Sequence, residues 1–235
     1  MQLDIDIGAT VRSGKRSFAL NVRCRSDSQR IVLYGPSGAG KSLTLKAIAG
    51  LLTPQRGHIR LNGRTLFDAA AGIDLTPQAR KLAYLFQDYA LFPHLTVRQN
   101  IGFGLARGWL NPRRAARHAQ VDYWLETFNL QDLAQQLPDD LSGGQRQRTA
   151  LARALVSDPC ALLLDEPFAA LDPALRIDMR AELDALQRRL GVPMIMITHD
   201  PDDARLLGEH VLQVRDGRID DAAADPGKGL INECR

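Results

Sequence analysis

The stretch Gly35-Pro-Ser-Gly-Ala-Gly-Lys41-Ser42 constrains this chain more than any other, because of what flanks it. Arg30-Ile-Val-Leu-Tyr34 before it is apolar enough for a buried strand, and the apolar periodicity of residues 43–52 after it is that of a helix. A glycine-rich turn between a buried strand and a helix fixes a β-loop-α unit, and such units assemble into parallel sheets covered by helices. The glycines let the backbone curl until its N–H groups converge on an anion, and the helix adds its positive N-terminal end. Gly35, Pro36, Ser37, Gly38, Ala39, Gly40, Lys41, Ser42 and Leu43 therefore read as a P-loop for the phosphates of a nucleotide. Lys41 would bridge the β- and γ-phosphates. Ser42 would hold Mg²⁺ through its hydroxyl, since magnesium prefers hard oxygen ligands.

The rest of the chain supplies the layers that such a unit needs. Phe18, Leu20, Val22 and Cys24 alternate with polar residues, as in a half-buried strand of an antiparallel N-terminal sheet. Residues 59–61 and the Asn62-Gly63 turn continue that layer. Residues 82–86, 161–164 and 194–197 read as strands buried on both faces, in a parallel core with 31–34. Between 88 and 155 the patterns are helical, punctuated by Gly102, Gly104, Gly108 and Pro138, which reads as an inserted helical subdomain. One of its helices is expected to run from Pro112 towards Phe128 and to carry the densest basic cluster, Arg113, Arg114 and Arg117. The α/β rhythm then resumes with a helix over 173–190, a strand, a helix around 202–207, a strand over 211–214 and the Asp216-Gly217 turn. The expected fold is α/β: a P-loop NTPase core with an N-terminal antiparallel β layer and an inserted helical subdomain. It spans residues 1–219, with 220–235 as a frayed tail.

Bulk properties exclude several classes. At 235 residues the chain can bury a substantial core without disulfide staples. Its three cysteines, Cys24, Cys160 and Cys234, form no C-x-x-C pair, which favours a reducing compartment; Cys24 and Cys160 read as small core residues. The N-terminus alternates Leu3, Ile5 and Ile7 with Asp4 and Asp6, so no signal peptide is expected. The longest apolar runs are strand-sized, far short of the roughly 20 residues of a spanning helix. A net charge of +3, spread without aromatic interleaving, argues against nucleic acid as a partner.

Ala161-Leu-Leu-Leu-Asp165-Glu166 places two carboxylates directly after a buried strand, at the edge where α/β sheets bind ligands. Phosphoryl transfer from MgATP uses two such groups: Asp165 to orient the Mg²⁺ hydration shell, and Glu166 to take a proton from, or polarise, the attacking water. Further strings stand in order along the chain: Leu141-Ser142-Gly143-Gly144-Gln145, Ala170-Leu171-Asp172 and Thr198-His199-Asp200. Together with the P-loop they resemble the ATP-binding subunit of an ABC transporter over about residues 1–219. Leu141 to Gln145 is the most specific of them, because a P-loop occurs in many NTPases and this string marks one family.

The resemblance implies an ATPase with ATP and Mg²⁺ as cofactors. Ser142, Gly143, Gly144 and Gln145 would form a second phosphate site at a helix N-terminus, facing the P-loop of another subunit in a twofold homodimer. Gln87 matches the family's glutamine that contacts Mg²⁺ or the attacking water. His199 matches the histidine that bonds the γ-phosphate and holds Glu166, and Asp172 the acidic residue that communicates across the dimer. The catalytic set is thus Glu166, His199 and Gln87, and the metal set Ser42, Gln87 and Asp165. The adenine contact stays open between Arg12 and Phe18; Ala169 stands where a serine is common. Tyr89, Leu91, Phe92 and Leu95 either form the groove for a helix of integral membrane permease subunits or fill the helical subdomain's own core.

Phe86-Gln-Asp-Tyr-Ala-Leu-Phe-Pro-His-Leu-Thr-Val-Arg-Gln-Asn100 and Leu75-Thr-Pro are most like importer ATPases of the molybdate and sulfate type. That implies uptake of an oxyanion such as molybdate, delivered by a periplasmic or extracellular solute-binding protein. The subunit would be peripheral, on the cytoplasmic face of the bacterial inner membrane. An importer of sulfate, iron or polyamine, or a non-transport ABC ATPase, is the alternative. The chain ends 36 residues after His199, so the C-terminal regulatory domain usual in these relatives is expected to be absent.

Overall fold

The computed structural model describes residues 1–14, 16–105, 112 and 118–220. Leu3, Ile5 and Ile7 put one apolar face on Leu3–Ser13 (β1), and Leu20, Val22 and Cys24 do the same for Arg16–Ser26 (β2), so the two pair as an antiparallel hairpin. Arg30–Tyr34 (β3) leads through the glycine loop into Lys41–Ala49 (α1). Arg56–Leu61 (β4), Arg64–Asp68 (β5) and Ile73–Asp74 (β6) extend the antiparallel part beyond β1, with Asn62 and Gly63 both at positive φ in the β4–β5 turn. The short helix Pro77–Arg80 (α2) precedes Leu82–Leu85 (β7).

Next come three helices, Val97–Phe103 (α3), Ala119–Thr127 (α4) and Gly143–Leu155 (α5), and no strand among the described residues until Ala161–Asp165 (β8). The chain finishes with Pro173–Leu190 (α6), Met194–Thr198 (β9), Pro201–Leu207 (α7), His210–Arg215 (β10) and Arg218–Asp220 (β11). The eleven strands among the described residues join one sheet in the order β6-β5-β4-β1-β2-β11-β10-β3-β9-β8-β7. Strands β10, β3, β9, β8 and β7 are parallel. The seam to the antiparallel part is narrow: Arg218 lies opposite Asn21, whose N–H donates to the Gly217 carbonyl at 2.7 Å.

Strand parity divides the core in two. Val32, Leu162, Leu164, Met194 and Met196 point to one face, where they meet α5, α6, α7 and the aromatic side of α4. Ile31, Leu33, Leu163, Ile195 and Ile197 point to the other, against α1 and the apolar face of β1. Asp165, two residues beyond Leu163, inherits the α1 face, and the polar end of β8 is thereby aimed at the start of α1.

Several expectations need correction. The strand expected over 82–86 ends at Leu85 and lies at the sheet edge among the described strands; Ala83 and Leu85 are buried on one face, while Leu82 and Tyr84 on the other are only partly covered. The helix after the loop is Lys41–Ala49, ended by Gly50 in the left-handed region. The described helix α4 begins at Ala119 after a His118 cap; Arg113, Arg114 and Arg117 lie outside the described residues, as do 221–235 with Cys234. Cys24 is buried, but Cys160 is exposed, at the mouth of β8 beside the Lys81 carbonyl.

Candidate functional site

The glycine loop closes tightly on its surroundings. A Cβ at Gly35 would come within 2.2 Å of the Val214 carbonyl oxygen, and one at Gly40, whose φ is 102°, within 3.0 Å of the Phe18 ring. Glycine at these two points lets β3 turn beneath β10 and start α1 with free N–H groups pointing into the loop. Lys41, 4% exposed, folds back over that loop and donates to the carbonyls of Gly35 at 2.7 Å and Pro36 at 2.9 Å. Burial pushes its ammonium below the ordinary lysine value, while Glu166 and Asp165 pull it back up.

Asp165 is 7% exposed, and both of its oxygens are used. The Ser42 hydroxyl donates to Oδ1 at 3.0 Å, and the Tyr84 hydroxyl donates to Oδ2 at 2.8 Å. Serine hydroxyl and aspartate carboxylate, adjacent at a helix N-terminus, are the hard oxygen donors that suit Mg²⁺, so the residues present fit that cation.

Glu166 leaves β8 in the left-handed region at φ 48°, an uncommon backbone for a residue with a long side chain. Its N–H donates to the Ile197 carbonyl at 3.1 Å, and its Oε2 lies 3.1 Å from His199 Nδ1. His199 is half exposed at the end of β9. Its two neighbours are pinned. Thr198 donates to Asp203 at 2.6 Å and accepts from the Asp200 N–H at 3.0 Å, and Arg180 bonds both Asp200 and Asp203. A cavity of about 50 Å³ beside this network is lined by Glu166, His199 and Arg176, among others.

Gln87 lies in the turn after β7, exposed, with no side-chain hydrogen bond among the described residues. Ser142 caps α5: its Oγ accepts from the Gln145 N–H at 3.3 Å, and its own N–H donates to Gln145 Oε1 at 2.8 Å. Gly143 and Gly144 form the first turn and pack against Leu171, Leu175 and Met179, so that α5 begins beside the start of α6. Among the described residues no hydrogen bond joins 142–145 to the glycine loop. Asp172 is the N-cap of α6, accepting from the Leu175 N–H at 3.0 Å.

The structure thus brings the glycine loop, Asp165, Glu166 and His199 to one edge of the sheet; Gln87 follows β7 at that same edge, level with the end of β8 but without a hydrogen bond to these groups, and the 142–145 turn makes none to the glycine loop among the described residues. The open choice over residues 89–95 is divided. Tyr89 and Leu95 are buried, whereas Leu91 and Phe92 are partly exposed. Burial pushes the Tyr89 phenol up to about 12, its hydroxyl reaches the Pro167 carbonyl at 3.4 Å, and Arg153 donates to the carbonyls of Tyr89 and Ala90. Sequence reasoning passed over Tyr84. The register of β7 on β8 gives Leu82 and Tyr84 the same face as Asp165, a relation between strands that no local pattern carries.

Strand, glycine loop, helix and a carboxylate pair at the end of β8, one strand removed from β3 across β9, define a nucleotide-binding α/β protein of the P-loop class. The ABC transporter family profile matches residues 20–169. The Molybdenum import ATP-binding protein ModC of Paramagnetospirillum magneticum is 39% identical over 98% of this chain and 61% of its own length. The Molybdate/tungstate import ATP-binding protein WtpC of Archaeoglobus fulgidus is 43% identical over 89% of this chain and 84% of its own. The solved structure of the ATP-binding cassette MJ0796, a dimer in a post-hydrolysis state with ADP and Pi, superposes with a TM-score of 0.75 at 28% identity, covering 94% of this chain and 97% of that one. The chain belongs to the ABC transporter family. It spans about 61% of the ModC relative, and about half of others named for spermidine/putrescine and xylose/arabinose import.

Proposed function

We propose that this chain is the ATP-binding and ATP-hydrolysing subunit of an ABC importer that powers uptake of a small oxyanion such as molybdate. The observation that carries the reading is the meeting of Lys41, Ser42, Asp165 and the Glu166–His199 pair at one sheet edge. In this reading the N–H groups of Gly38 to Leu43 receive the phosphates, and Lys41 exchanges its loop carbonyls for β- and γ-phosphate oxygens. Ser42, Gln87 and Asp165 are the residues that would hold Mg²⁺. When bound, the cation neutralises charge developing on the phosphates. Glu166 accepts the proton of the attacking water, and His199 donates through Nδ1 to keep that carboxylate in place.

Ser142, Gly143, Gly144 and Gln145 serve the nucleotide of a second copy. The Ser142 oxygen is an acceptor in its own helix cap, which leaves its proton to donate to a phosphate oxygen. Two chains so arranged complete each other's sites, as an isologous dimer does. Leu91 and Phe92, both partly exposed and the latter fixed by Asn100 and Arg153, are the apolar surface for a permease segment. Through that contact the subunit sits at the cytoplasmic face of the membrane; no described helix is long and apolar enough to cross it. No nucleic-acid role is proposed.

The oxyanion assignment rests on the ModC and WtpC likeness. Comparable identity to relatives named for polyamine and sugar import makes an importer of another solute the second reading. The test is to reconstitute the chain with its permease and compare ATP hydrolysis when the solute-binding protein carries molybdate, sulfate, a polyamine or a sugar. Stimulation by molybdate supports the proposal. Stimulation by a polyamine or sugar alone moves it to the second reading, and absence of hydrolysis under any condition overturns both.

A further inference from the structure

We propose that Tyr84 is a positioning residue for the divalent cation: its hydroxyl, by holding Oδ2 of Asp165, keeps Oδ1 turned toward Ser42 and the nucleotide. The inference rests on the reading of Ser42 and Asp165 as the Mg²⁺ site. A carboxylate offers two equivalent oxygens, and rotation exchanges them. Asp165, 7% exposed at the end of β8, has a different donor on each: Ser42 at 3.0 Å on Oδ1 and Tyr84 at 2.8 Å on Oδ2. The cation would compete for the Ser42 side. The Tyr84 side, partly buried against the sheet, faces away from Ser42, so this bond can persist while the other changes partner.

The placement of Tyr84 follows from register. β7 and β8 are parallel with Tyr84 opposite Leu163, so the phenol reaches forward past one strand position to Asp165 on the same face. The ring is fixed against Phe86, with centroids 4.5 Å apart. The same strand runs directly into the Gln87 turn, so the residue orienting Asp165 and the exposed glutamine are borne by one edge strand. Groups that orient a ligating side chain from behind typically change metal affinity by about 10–100-fold when removed.

Tyr84→Phe removes the oxygen and keeps the ring packed on Phe86. Using the full chain, free Mn²⁺ is titrated by electron paramagnetic resonance in the presence of a non-hydrolysable ATP analogue. In parallel, binding of the same analogue is measured in EDTA. We expect Mn²⁺ affinity to fall about tenfold, while metal-free analogue binding stays within about twofold. In hydrolysis, half-saturation by Mg²⁺ should rise, with kcat at saturating Mg²⁺ close to wild type. Equal Mn²⁺ affinity in variant and wild type overturns the role of Tyr84. So does a joint fall of metal-dependent and metal-free binding, which would mean a damaged fold. If the wild type itself binds no Mn²⁺ with the analogue, the metal site fails, and the inference falls with it.

Discussion

Glu166 is held where few non-glycine residues sit. A left-handed backbone costs about 1–3 kcal/mol, and the surrounding bonds to Ile197 and His199 over-determine it. Among the described residues His199 is the only ion-pair partner of that carboxylate, so its loss should leave Glu166 present but loosely aimed. His199→Ala is expected to slow phosphate release by about 10²-fold or more with nucleotide binding largely kept; a parallel loss of nucleotide affinity would place the histidine in binding instead. Far from that edge, Asp184 offers a pH test. Burial pushes its carboxyl up, but hydrogen bonds from Arg30 and Arg188 outweigh this and hold it below the ordinary value. A depressed carboxyl stabilises the fold above its unfolded pKa and loses that contribution as pH falls through the folded one. Asp184→Asn should therefore lower Tm at pH 7, with the gap to wild type closing as pH drops below about 4; a gap independent of pH would sink the assignment. At this scale the meeting of Ser42 with Asp165 was legible, because two motifs bring a helix start and a strand end together, whereas the Tyr84 contact with Asp165 runs across strands and has no local signal. Cys160 was misread because an apolar strand lies next to it while the residue itself sits at the exposed entrance.

The start of α5 is a helix cap and, in the proposed function, also a phosphate site, and substitution can separate the two. Ser142 caps the helix reciprocally with Gln145, and the same turn presents Gly143 and Gly144 N–H groups. Ser142→Ala should destabilise the protein by about 1 kcal/mol through the lost cap. Ser142→Asp restores a good cap but adds a negative charge where the proposed second nucleotide's phosphate would lie. Thermal denaturation should show Asp near wild type and Ala below it, while ATP-dependent association is lost most completely in the aspartate variant. Association that tracks Tm alone would reduce Ser142 to a cap. Elements with strong local signals were readable in advance: the Pro173 start of α6 and the Asn62-Gly63 and Asp216-Gly217 turns stand where the residues put them. β6, two residues long and paired with β5, and β11, three residues long, paired with β10 and joined to β2 at a single position, are too short to carry a periodicity to read. The edge character of β7 was equally hidden, because pairing partners are absent from a local pattern.

At the scale of the molecule, the two segments proposed to handle phosphate, the glycine loop and the 142–145 turn, are joined by no hydrogen bond among the described residues. The glycine loop, Asp165 and Glu166 gather at the ends of parallel strands, while Ser142 begins a helix packed on α6 and makes no bond to that loop. A chain that does not join its own two segments can satisfy both by pairing with a copy about a twofold axis. Nucleotide then drives association only in so far as the paired state binds it better, and hydrolysis removes that preference. Glu166→Gln keeps the side chain's size and removes the carboxylate that would accept a proton, so binding should persist while hydrolysis stops. We expect this variant with MgATP to elute from size exclusion at twice the monomer mass, and with ADP or without nucleotide as monomer. Adding Lys41→Ala should abolish the dimer, because the loop's own charge on the phosphates is lost. A Glu166→Gln chain that binds ATP yet stays monomeric at every concentration tested would mean that the 142–145 turn does not receive a partner's nucleotide, and the division of the site between two copies would be wrong.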